Sequence, residues 1–73
     1  MSNLRFANSF KASDPTGKQI VIERYIRFDG ATQVGGELKA ADGRHVNFVR
    51  KGVYELVDGF NLIPLTSDDP NAP

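Results

Sequence analysis

The sequence predicts an all-β domain, and three features carry that reading. Glycine-containing turn signals recur along the chain, the runs between them have strand length, and the longest run is dominated by β-branched and aromatic side chains. The turns are Asp14-Pro15-Thr16-Gly17, Asp29-Gly30, Gly35-Gly36, Asp42-Gly43, Lys51-Gly52 and Asp58-Gly59. Asp-Gly favours the positive φ angles of tight hairpin turns, and Pro second with Gly fourth suits a type I turn. Successive runs are therefore expected to be antiparallel neighbours.

In the first run Leu4, Phe6, Phe10 and Ala12 alternate with Arg5, Ser9 and Lys11, the period of two of a strand with one buried face; Asn8 interrupts it. The run from Lys18 to Phe28 fits two templates. As a strand it places Ile20, Ile22, Ile26 and Phe28 on one face, with Arg24 as the interruption. As a helix it gathers Val21, Ile22, Tyr25 and Ile26 opposite Glu23, Arg24 and Arg27, and Asp14-Pro15 could open it. Residue type favours the strand, because branched and ring side chains fit a pleated surface better than a helical turn.

Gly35-Gly36 reads as a bend. Beyond it, Glu37 to Ala40, Arg44 to Arg50, Val53 to Val57 and Phe60 to Thr66 are four strand-length runs. Val46 with Phe48, Tyr54 with Leu56, and Phe60 with Leu62 are the expected core pairs. Pro64 has no N–H for a ladder, so the last strand should lie at an edge or stop pairing there. The expected architecture is a five- or six-stranded antiparallel curved sheet or a small SH3-like barrel over residues 1–65. The alternative is an α+β fold in which residues 15–28 form one helix packed on an antiparallel sheet. Residues 66–73 hold two Pro, two Asp, one Asn and one Ala, and are expected to be a frayed, disordered tail.

At 73 residues the chain can build one core. A domain this small buries only roughly 60% of its unfolded surface, so its stability margin is thin. The chain has no Cys and one His, which excludes disulfides, thiolate zinc sites and His-rich metal clusters. No cofactor is expected. Met1 to Phe10 lacks the apolar core of a secretory signal and no window has membrane-spanning length, so a cytoplasmic location without membrane contact is the default.

Nine Lys+Arg balance nine Asp+Glu; without Asp68 and Asp69 the folded part has nine basic against seven acidic residues. That mild excess is not the strong one of a dedicated nucleic-acid binder. Catalysis lacks raw material: His45 has Asp42 and Asp58 as possible partners, but Asp42 belongs to a turn, and Ser2, Ser9, Ser13 and Ser67 lie near turns or termini. The domain is expected not to be an enzyme. Gly35-Gly36 also lacks the pattern of a phosphate-binding loop.

Binding is the more credible activity. The stretches Arg24-Tyr25-Ile26-Arg27-Phe28 and Arg44-His45-Val46-Asn47-Phe48-Val49-Arg50-Lys51 mix cations with rings. On neighbouring strands, Arg24, Arg27, Arg44, His45, Arg50 and Lys51 could hold a phosphate backbone or another anion, which is the nucleic-acid-binding barrel reading. Against it, Phe28 and Phe48 suit the core, and strand cations keep edges soluble. A small core with edges open to a partner chain or a second copy favours a protein-interaction module, with self-association possible, over nucleic acid.

The segments Ala41-Asp42-Gly43-Arg44-His45-Val46-Asn47, Lys51-Gly52-Val53-Tyr54 and Leu65-Thr66-Ser67-Asp68-Asp69-Pro70 resemble a stretch of short, uncharacterised bacterial proteins. The resemblance covers less than half of the chain. It implies a bacterial or phage origin and carries no activity and no functional residue.

Overall fold

A computed structural model describes residues 2–73. Among them are six strands: β1 (Ser2–Ser13), β2 (Gln19–Asp29), β3 (Thr32–Ala40), β4 (His45–Arg50), β5 (Val53–Asp58) and β6 (Asn61–Thr66). Each pairs antiparallel with the next, and β6 returns to β1 at Ser13↔Thr66 to close a barrel in the order β1-β2-β3-β4-β5-β6. The all-β reading therefore stands, and residues 19–29 form β2 where the alternative placed a helix. The β-branched content of Ile20, Val21 and Ile22 prevails over the helical spacing, since the later strands offer that face a sheet to pack against.

The turns form where glycine signals them. The Asp14 carboxylate accepts bonds from the Thr16 and Lys18 amides at 2.9 and 3.0 Å and from the Thr16 hydroxyl at 2.7 Å. Gly17 follows at φ +86°, a conformation that costs other residues strain. Pro64 pairs with Glu55 on β5, so its nitrogen faces the opposite edge of β6. Among the described residues that edge meets β1 only at Thr66.

The core comprises Phe10, Ala12, Ile22, Leu38, Ala40, Val46, Tyr54, Leu56, Leu65 and Ala72. Burying each large side chain in this set stabilises the domain by about 1.5–3 kcal/mol. No polar or charged residue is buried among the described ones.

Four expectations are corrected. First, Leu4 and Phe6 do not share the buried face of Phe10 and Ala12. A β-bulge between Phe6 and Asn8 shifts the register, and because side chains alternate with a period of two, it turns Phe6 outward to 56% exposure.

Second, Gly35-Gly36 is no bend but the interior of β3, which begins at Thr32. A Cβ on Gly36 would stand 2.6 Å from the Tyr25 carbonyl oxygen. Gly35, at φ +139°, absorbs the register shift opposite Arg27 and Phe28. Glycine is needed here to keep two strands close, a role that resembles a turn in sequence.

Third, Phe60 and Leu62 are exposed, while Ile63 and Leu65 face the core opposite Leu56 and Tyr54. Phe60 falls in the β5–β6 turn, which moves the strand's inward positions on by one.

Fourth, residues 66–73 are held against the barrel. Ala72 enters the core, Tyr54 Oη donates to the Pro73 carbonyl at 2.6 Å, and Asn8 Nδ2 donates to the Asn71 carbonyl at 2.9 Å. The Ser67 hydroxyl donates to the Lys11 carbonyl, and the Lys11 amide donates to Asp69 Oδ2 at 3.0 Å. Composition counted only the tail's apolar surface, whereas its polar groups satisfy the free edge of β1.

Carboxylates that accept such bonds give an acid-sensitive fold. Thr16 holds Asp14 below the ordinary carboxylate range, Arg44 does so for Asp42, and the Asn71 and Lys11 amides do so for Asp69. A pKa depressed on folding contributes stability above the unfolded value and loses it as pH falls through the folded one. The melting temperature is therefore expected to be flat from pH 7 to about 5 and to fall below about 4. In the same range the Lys11 amide should lose exchange protection as Asp69 protonates. A melting temperature constant down to pH 2 would contradict this.

Candidate binding cleft between strands β3 and β4

The barrel is not equally closed around its circumference. Strands β3 and β4 pair at Leu38↔Val46 and Lys39↔His45, and the described ladder stops there. The Ala40 amide donates to the Arg44 carbonyl at 2.8 Å, and the Ala41 amide donates to Val21 on the other side. Main-chain groups alternate between the two edges of a strand, so Leu38 and Gly36 aim theirs toward β4. By the same alternation Val46 and Phe48 aim theirs toward β3. The next rung would join Gly36 to Phe48, and it does not form. The strands instead part around a cleft of about 500 Å³.

Ile26, Leu38, Val46 and Phe48 supply the apolar lining, with Pro73 among the other residues. Phe48 is thus no core residue. Its ring meets Tyr54 at 6.0 Å between centroids, yet it is 56% exposed because the cleft opens beside it. Among the cleft's other lining residues are Arg24, His45 and Glu37. Glu37 has cationic neighbours, Lys39 at 3.6 Å and Arg27 at 3.9 Å. Arg24 has no carboxylate partner among the described residues. Its guanidinium makes one long bond, 3.4 Å to Asn8 Oδ1, and it is half-buried.

The six candidate residues do not converge. Arg24 sits opposite Leu38 on β2 and lines the cleft. Arg27 is odd-numbered on the same strand, on the other face, near Glu37. Arg44 is bound to Asp42 through Nε at 2.8 Å and Nη2 at 2.7 Å, with Asp58 at 3.7 Å. These carboxylates raise its already high pKa further. His45 opens β4 at the rim of the cleft, exposed and opposite Lys39. Arg50 and Lys51 lie exposed at the far end of β4. The structure therefore brings together Arg24 and His45 and leaves the other four elsewhere.

On the outer face Phe6 meets Tyr25 edge-on at 5.8 Å, and the Lys39 ammonium lies 5.6 Å from the Tyr25 ring centroid. Tyr25 Oη donates to Glu23 at 3.1 Å, which holds its proton and raises its pKa. These contacts are satisfied within the barrel wall. Sequence reasoning missed Gly36 and Ile26 as site residues and assigned Phe48 to the core. A usable signal was present in glycine inside an apolar strand pattern, which marks close backbone approach.

Among the described residues no group of three or more His, Asp or Glu gathers as metal ligands, and no helix is long and apolar enough to cross a membrane. No protein-family model, curated protein or solved structure matches this chain.

Proposed function

We propose that this domain is a non-catalytic protein-interaction module whose binding site is the cleft between β3 and β4. One observation carries the reading: the barrel leaves a rung unmade at Gly36 and Phe48, beside an apolar lining open to solvent. Unpaired strand edges are templates for another chain, and a protein that keeps one open beside exposed apolar surface has a use for it. His45 has no hydrogen-bond or ion-pair partner among the described residues, and Asp42 and Asp58 are engaged with Arg44. That disposition favours binding over acid-base chemistry.

Nucleic acid fits less well. A phosphate backbone requires cations along one track, whereas Arg27 and Arg44 are engaged with carboxylates and Arg24 points to a different face from Arg27. Protein binding needs only the cleft.

Site-specific photo-crosslinking tests the proposal. A benzophenone side chain replacing Asn47, beside the cleft, should yield discrete protein adducts in native lysate, and one replacing the outward Val21 should not. Equal labelling from both positions, or labelling only of single-stranded RNA that weakens steeply with salt, would contradict it. An adduct of twice the chain mass would identify a second copy as the partner.

A further inference from the structure

We infer that the cleft takes an extended, acidic peptide strand from another protein, whose main chain completes the rung left open at Gly36 and Phe48 and whose carboxylate pairs with Arg24. The inference rests on the proposed protein-binding role and names the partner's chemistry.

Three features of the cleft specify that chemistry. Gly36 and Phe48 offer main-chain groups toward the gap, and a backbone in strand conformation can bond them at strand spacing in place of water. The apolar lining from Ile26, Leu38 and Phe48 suits every second side chain of such a strand.

Arg24 sets the charge. Arg24 is half-buried, and its guanidinium's only bond among the described residues is a 3.4 Å contact to an amide oxygen, which leaves most of its donor capacity without a protein partner. A carboxylate arriving in the cleft would form the charge-assisted pair that Arg24 lacks. The cleft's own acid, Glu37, is offset by Lys39 and Arg27, so it does not repel one.

A second copy of this chain fits poorly. Asp14, Asp29, Asp42 and Asp58 belong to tight turns or their flanks, and Glu23, Glu37 and Glu55 lie inside the barrel's own strands. The Asp68-Asp69-Pro70 segment contains a residue with no N–H to pair, and Asp69 is occupied by Lys11. The acidic strand must come from elsewhere.

The test uses an array of octapeptides that alternate Val, Ile, Leu or Phe with Glu or Asp. The strongest binder is then carried into solution with isotope-labelled protein. Binding should move the Gly36 and Phe48 amide resonances. Replacing Glu and Asp by Lys in the peptide, or Arg24→Gln in the protein, should each weaken binding about tenfold or more, the scale of a lost charge-assisted pair. Arg24→Lys, which keeps the charge, should retain part of the affinity and guards against a folding artefact.

N-methylating alternate peptide amides, in both phases, separates this inference from the role it rests on. At least one phase should abolish binding. Full binding by both would overturn strand addition yet leave the cleft as a protein site. Movement of Gly36 and Phe48 with protein concentration alone would assign the cleft to a second copy and overturn the inference. Shifts caused by single-stranded RNA but by no peptide in the array would overturn both readings.

Discussion

Replacing Tyr54 by alanine is expected to remove roughly 3–5 kcal/mol of stability, the scale for deleting a fully buried aromatic. Tyr54 is 0% exposed, its ring lies 5.2 Å from that of Phe10 and 6.0 Å from that of Phe48, and its hydroxyl binds the Pro73 carbonyl. It joins β5 to β1, to β4 and to the C-terminal segment at once. A 73-residue chain has a total stability on the order of 4–11 kcal/mol, so Tyr54→Ala should leave a large unfolded population at 25 °C. Tyr54→Phe keeps the ring and removes the hydroxyl's donation to Pro73 and its long acceptance from the Gly52 amide at 3.4 Å, which should cost about 1 kcal/mol. Its effect should concentrate in residues 71–73, read as faster amide exchange at Ala72. Urea unfolding of both variants measures the contrast, and equal losses would show that the ring is not buried as described.

The second large effect separates two neighbours in β2. Ile22 is 0% exposed and pairs with Phe10 and Ala40 on either side, whereas Val21 is 42% exposed on the outer face. Ile22→Ala should cost about 2–5 kcal/mol, and Val21→Ala should stay within about 0.5 kcal/mol. In a helix both side chains would share the apolar side, and the two losses would be similar. The pair of variants therefore measures the strand directly.

Much of the architecture was legible because it depends on local chemistry. Branched residues from Ile20 to Ile26 and the Gly-marked turns determine where strands run and where they reverse. What was not legible depends on neighbours. The bulge between Phe6 and Asn8 belongs to a pairing of β1 with β2; Asn8 interrupts the alternation there, but a polar residue does not by itself reveal an inserted one. Glycine at positions 35 and 36 has the same composition whether it turns a chain or lets two strands approach, and the Tyr25 carbonyl decides between them. The tail's order depends on the Lys11 main chain and the Tyr54 hydroxyl, both distant in sequence.

The site shows the same division. Arg24 stood out in the sequence as a cation on an otherwise apolar strand face, and it lines the cleft with no carboxylate partner among the described residues. Arg44 looked equally available until Asp42 and Asp58 were placed beside it. The cleft itself arises from a rung that does not form, and an absent pairing leaves no mark in a composition or a period.

Amide hydrogen exchange of the isolated protein tests that unmade rung most directly. Leu38, inside the last formed pair, should be strongly protected, while Gly36 and Phe48 should exchange with little protection. Protection at Gly36 and Phe48 equal to that at Leu38 would mean that β3 and β4 zip together along their length, leaving no cleft for a partner to enter.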